Sequence, residues 1–288
     1  MKVKILTYTL LFTCTILKSQ INIPEDSKWH LVTNVSDEFN DTIIDDTKWQ
    51  QNGFWFEGNG DCSTFYNTNK AYIYSDFSND GILLNSGIVS LVARKQVPAL
   101  NIEISCHLCD TCSAWPVNMY PVTYTVGKLI STNRTQFGYF EVKFRIPGPA
   151  TTTNKTYRPF GANFWIYGQN YPLEDSTNSC YSEIDIFEIT NGQTQMYTTN
   201  SHFNPIGDTI NCGGYPSIHD DNDGHVEYDN ITGNEWHTGA AFWSPNRIDY
   251  YFDGQLIKTN NNYWVGLLDP MNIILDMFNV KPKWTELG

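Results

Sequence analysis

An all-β sandwich or barrel is the fold class that this 288-residue sequence predicts. Three observations predict it. Apolar and polar residues alternate over many short runs, the period of a strand with one buried face, while helical spacing is scarce beyond the first residues. The runs are bounded by Gly, Pro, Asn and Asp, which supply the backbone conformations of tight turns. Aromatic residues make up 15% of the chain, with 17 Tyr and 9 Trp, and these side chains suit a pleated, half-buried surface. The length is that of one large all-β unit, and no repeat or linker divides residues 21–288.

The elements follow in order. Residues 1–20, MKVKILTYTLLFTCTILKSQ, read as a secretory signal peptide, with Lys2 and Lys4 ahead of an apolar run from Ile5 to Leu17 and the small Ser19 behind it. That run is shorter than the roughly 20 residues a bilayer span needs; a retained membrane anchor is the alternative. ILLNSGIVSLVAR (82–94) predicts a hairpin. YTVGKLIST (124–132), GYFEVKFRIP (138–147), FGANFWIYG (160–168) and YSEIDIFEIT (181–190) each predict a strand. HTGAAFWSPNRIDYYFDGQLIKT (237–259) holds two or three more, with the Asp-Gly of FDGQ as a hairpin turn. MNIILDMFNV (271–280) ends the series. Residues 96–121 show little alternation and read as a long loop on the rim of a cleft, and DDNDG (220–224) reads as a polar surface loop.

The formal net charge is −13, and loss of the leader, which carries Lys2, Lys4 and Lys18 and no acid, makes it more negative still. Such a field repels polyanions, so nucleic acid is excluded as a partner and a sulfated polymer needs a locally basic cleft. The aromatic content fits stacking on sugar rings as well as a β-sandwich core. Cys62, Cys106, Cys109, Cys112, Cys180 and Cys212 remain after the leader, an even set that suits disulfides in an exported chain. In CHLCDTC, the three cysteines with His107 could instead ligate zinc or another soft metal.

The strand at 181–190 carries Glu183, Asp185 and Glu188. Strict alternation puts Glu183 and Asp185 on one face and turns Glu188 to the other. A β-bulge at Ile186 or Phe187 would slip the alternation by one and bring all three acids together, leaving Ile184 to the core. Crowding like charges on one face is costly; it is tolerated where acid and base chemistry needs pKa values pushed apart. Two glutamates so placed suit glycoside hydrolysis, one ionised to attack the anomeric carbon and one protonated to serve the leaving oxygen.

EIDIFE resembles the bulge-type ExDxxE signature of glycoside hydrolase family 16, the laminarinase, lichenase, agarase and carrageenase group. SDEFND (36–41), YTVGKLISTNRTQFGYFEVKFRIP (124–147), GANFWIYG (161–168), NEWHTGAAFWSPNRIDYYFDGQLI (234–257) and MNIILDMFNV (271–280) resemble the family in the same order. The resemblance implies a β-jelly-roll sandwich of two curved antiparallel sheets, concanavalin A-like, with an open concave cleft for a linear polysaccharide. It makes Glu183 the nucleophile, Glu188 the general acid and then base, and Asp185 a hydrogen-bond partner of the nucleophile. Trp165 would stack under a sugar, and His202 would touch substrate or steady Glu188. Trp55, Glu57 and Trp115 are further substrate-binding candidates, whereas Trp236 and Trp243 fall among core positions. The family's usual last strand has no counterpart after the strand at 271–280. No calcium ligand can be named: a structural calcium is compatible with the family, but the sequence assigns it no residues and the chemistry requires no cofactor. The resemblance favours a secreted, monomeric, endo-acting retaining enzyme on β-1,3 or mixed-linked glucan. A hydrolase of agar, porphyran or carrageenan is the alternative, with Arg134, Arg145 or Arg158 as candidate partners for sulfate. From another class, a non-catalytic carbohydrate-binding protein would use the same sandwich.

Overall fold

The alternating runs of the sequence become strands with one face inward. A computed structural model describes residues 29–50, 72–74, 82–92, 94–104, 118–146, 160–170, 179–189, 196–206, 218–219, 224–227, 235–261 and 270–279. The strands in these segments are β1 (Trp49–Gln50), β2 (Tyr72–Tyr74), β3 (Ile82–Asn85), β4 (Ile88–Leu91), β5 (Arg94–Ile104), β6 (Asn118–Val126), β7 (Lys128–Thr135), β8 (Gly138–Phe144) and β9 (Phe160–Asn170). They continue with β10 (Ser179–Glu188), β11 (Met196–Ile206), β12 (Ile218–His219), β13 (Gly224–Glu227), β14 (His237–Ser244), β15 (Arg247–Phe252), β16 (Gln255–Asn260) and β17 (Met271–Asn279). No helix occurs among the described residues, and none is therefore long and apolar enough to cross a membrane. Residues 1–20, expected to be a signal peptide, all the cysteines except Cys180, and the chain beyond Asn279 lie outside the described residues.

The large sheet runs β1-β7-β17-β9-β10-β11-β12, with β13 also on β11; the smaller runs β16-β15-β14-β8. Both are antiparallel throughout, and together they form a jelly-roll sandwich. A separate sheet, β2-β6-β5, contains a parallel pair, β2 with β6. Leu129, Phe164, Ile166, Ile184, Ile186 and Phe187 from the large sheet meet Phe140, Ala241, Trp243, Ile248, Tyr250 and Phe252 from the smaller one in a single buried cluster. Burying such side chains is the main favourable term in holding two sheets together.

Two hairpins show why their turns carry those residues. Ser86 (φ 49°) and Gly87 (φ 78°) join β3 to β4, and Asp253 (φ 46°) and Gly254 (φ 76°) join β15 to β16. Two successive positive φ values match the right-handed twist of the flanking strands, and Asp-Gly reaches them at little cost. The FDGQ turn is thus where the sequence puts it.

Two expectations need correction. Residues 96–121 are not a continuous loop, because β5 and β6 pair across them, with Glu103 opposite Met119. The run 124–132 is not one strand: it breaks at Gly127, whose carbonyl accepts a bond from Met277 N at 3.1 Å, and β7 then leaves in another sheet. Alternation continues through such a break, so periodicity does not reveal it.

Candidate active site

β10 carries the three acids, and its pairing with both neighbours slips between Asp185 and Glu188. Against β9, Asp185 faces Trp165 and Phe187 faces Phe164, so Ile186 is the extra residue. Against β11, Asp185 faces Asn200 and Glu188 faces Thr198. This is the bulge expected from EIDIFE. Ile184, Ile186 and Phe187 enter the core, and Glu188 returns to the face of Glu183 and Asp185.

Directly opposed residues of an antiparallel sheet share a face, so the register lays three rows across the outer face of the large sheet. In the first, Arg134, Asn272, Tyr167, Glu183 and His202 follow one another over β7, β17, β9, β10 and β11. Ile130, Ile274, Trp165, Asp185 and Asn200 make the second. Lys128, Asp276, Asn163, Glu188 and Thr198 make the third. Ile130, Trp165, Tyr167 and Ile274 form an apolar cluster separate from the main core. The acids therefore rise from a floor that is partly greasy and partly polar.

His202 Nε2 lies 3.2 Å from Asp185 Oδ2. Asp185 is 1% exposed, whereas Glu183 and Glu188 are partly open to solvent, as groups that meet a substrate must be. Burial pushes the Glu183 carboxyl up, the charge of Asp185 and a hydrogen bond between the two push it further, and His202 pulls the other way. Asp185 is raised by burial and by the charge of Glu188, with its bond to Glu183 and the cation of Lys258 opposing. The two hydrogen-bonded carboxyls together hold a proton at a pH where isolated ones would have released it.

The sign of the effect on stability follows. A carboxyl whose pKa is raised by folding keeps its proton in the fold after the unfolded chain has lost it, so stability falls as pH rises from the ordinary carboxylate range, near about 4, through the raised folded value. Asp185→Asn removes one such group. Its melting temperature relative to wild type is expected to climb steadily across that window, measured by thermal scans at a series of pH values. A difference that is flat or shrinks with pH would contradict the burial argument.

Asp276 is a residue that the sequence does not single out. It is 3% exposed, and its Oδ1 accepts from Asn163 Nδ2 at 2.8 Å and Trp165 Nε1 at 3.2 Å. It thus orients the amide in register with Glu188 and the indole in register with Asp185. Asp276→Ala leaves two buried donors without this acceptor and is expected to destabilise by roughly 2–5 kcal/mol, read from the denaturant midpoint. Asp276→Asn, which keeps an acceptor oxygen, should recover part of that loss.

The remaining candidates separate clearly. Trp165 belongs to the outer face and not to the main core, but it is buried, 5% exposed, and packs edge-on against Tyr167 at 5.7 Å. His202 Nε2 lies against Asp185 Oδ2. Trp243 is core, fully buried; Trp236, expected with it, is 40% exposed, under the guanidinium of Arg145 at 5.0 Å. Trp55, Glu57, Trp115 and Arg158 lie outside the described residues, as does the CHLCDTC segment. Among the described residues one group is spaced as metal ligands are: donor atoms of Glu183, Asp185 and His202 lie within 4.8 Å of one another. These atoms are the same ones that an acid/base site uses.

Residues 100–287 match the sequence model of glycosyl hydrolases family 16. The chain belongs to that family. It is a glycoside hydrolase. The chain is 26% identical over 273 residues to β-porphyranase C of Zobellia galactanivorans, covering 85% of this chain and 68% of that one. It is 24% identical over 243 residues to κ-carrageenase of Pseudoalteromonas carrageenovora, covering 82% of this chain but only 53% of the relative. Among solved structures, the P. carrageenovora κ-carrageenase in complex with a κ-carrageenan oligotetrasaccharide superposes with a TM-score of 0.64 at 20% identity, over 92% of this chain and 87% of that one. That likeness supports the jelly-roll fold.

Proposed function

We propose that this family 16 enzyme is an endo-acting, retaining hydrolase of an algal galactan of the porphyran or carrageenan kind. The observation that carries the substrate class is the pair of relatives named for such polymers, a porphyranase and a carrageenase. They move the reading away from laminarin-type glucan, which the resemblance of short segments had favoured.

Glu183 attacks the anomeric carbon to form a glycosyl-enzyme, while Glu188 gives its proton to the departing oxygen. Water, deprotonated by Glu188, then releases the sugar with its original anomeric configuration. Asp185, hydrogen-bonded to Glu183, takes up the shared proton when Glu183 must be ionised to attack, and His202 Nε2 stands 3.2 Å from the buried Oδ2 of Asp185. The bulge supports this assignment, because without it Glu188 would enter the core. Export through the leader at 1–20 belongs to the same reading, since a polymer of this size is met outside the cell.

Incubation with porphyran, carrageenans, agarose, laminarin and lichenan, followed by sizing of the fragments, tests the substrate class. Internal cleavage of a galactan is the expected result, and β-anomers should appear first by proton NMR. Cleavage of laminarin or lichenan with every galactan left intact would overturn it.

A further inference from the structure

The net charge of −13 works against an anionic polymer, so any sulfate it carries needs a local cation at the cleft face. Two described cations stand on that face of the large sheet. Lys128 is buried, 1% exposed, in register with Asp276. Arg134 is exposed, in the same cross-strand row as Glu183. Among the described side chains, two other arginines are engaged elsewhere: Arg145 covers Trp236, and Arg247 pairs with Asp249 at 2.9 Å.

Arg134 is also held in position. Asn272 Nδ2 donates to Ser131 O at 2.7 Å, which fixes the amide so that Asn272 Oδ1 accepts from Arg134 Nε at 3.1 Å. Ser131 is in turn tied down, its Oγ donating to Asn133 O at 2.7 Å and accepting from Ile273 N at 2.8 Å. Binding through Nε leaves the two Nη groups of this exposed side chain for a further partner. A planar fork oriented in this way matches two oxygens of a sulfate.

We propose that Arg134, oriented by Asn272, is a sulfate-recognising residue of the polysaccharide cleft. It stands three strand intervals from Glu183, about 14 Å at the usual strand spacing, so it reads a sugar several units from the scissile bond and acts on binding rather than on the chemical step. The proposal rests on the galactan reading for the natural substrate, but its test is separate.

The experiment takes whichever polymer the wild type cleaves and compares its sulfated form with a desulfated one. For Arg134→Gln, KM on the sulfated form is expected to rise about tenfold, the loss of a charge-assisted bond, with kcat little changed and the desulfated form unaffected. Arg134→Lys keeps the charge without the fork and should fall between. Added salt should raise the wild-type KM on the sulfated form more steeply than that of Arg134→Gln. An unchanged KM in Arg134→Gln, or an equal rise on both forms, would refute the assignment. If the polymer cleaved were laminarin, the galactan reading would fall and Arg134 would still be tested on chemically sulfated laminarin.

Discussion

Glu183→Ala is expected to bind polysaccharide as the wild type does and to cleave it slower by on the order of 10⁴-fold or more, the scale on which removing a nucleophile acts. The reason is stereoelectronic as well as electrostatic. On the proposed mechanism no glycosyl-enzyme forms without Glu183, and Glu188 alone can offer its proton to an oxygen that nothing displaces. A small anion such as azide, entering the space left on that face, should restore part of the turnover by direct attack, and its glycosyl azide should carry the inverted α configuration. Binding by affinity electrophoresis and the anomer by NMR give the readout. A variant that lost binding together with turnover, or that kept turnover, would remove Glu183 from the nucleophile's role.

The second large effect is at Glu188. Glu188→Gln is expected to slow cleavage of natural polymer by about 10²–10⁴-fold, the range of general acid catalysis. Aryl glycosides with good leaving groups need little protonation, so their first step should be nearly spared and the glycosyl-enzyme should accumulate as a burst. Equal losses on polymer and activated substrate would mean that Glu188 does something other than transfer a proton. Because the bulge alone brings this side chain to the cleft, the same experiment tests whether the extra residue, Ile186, serves catalysis.

The acidic strand was legible because its chemistry and its pattern conflict. EIDIFE alternates as far as Asp185 and then puts Ile186 and Phe187 in succession, which an inserted residue reconciles with three acids on one face. FDGQ was legible for an equally local reason, the backbone that Asp253 and Gly254 can adopt. What sequence could not give was the order of strands. β17, last among the described strands, inserts between β7 and β9, and only that insertion brings Asp276 to Asn163 and Trp165 and Asn272 to Arg134. Within IILDMFN, Asp276 is one polar residue among apolar ones and looks like any solvated strand position. Lys128 is hidden in the same way, since a lysine in VGKLI gives no sign that it will be buried in register with an acid. The 96–121 segment failed for a different reason: its polar, cysteine-rich centre masks two strands that pair across it.

β11, the strand beside the acids, is fastened to the smaller sheet by polar bonds rather than by methyl groups alone. Tyr250 Oη donates to Asn200 O at 2.7 Å, Asn260 Nδ2 to Ser201 Oγ at 2.8 Å and Lys258 Nζ to Thr199 O at 3.4 Å. Apolar packing tolerates sliding, whereas bonds to three successive residues fix position along the strand axis. The imidazole of His202, next in sequence, therefore inherits its location from behind the sheet, and a polymer drawn along the cleft meets a wall that resists being dragged with it.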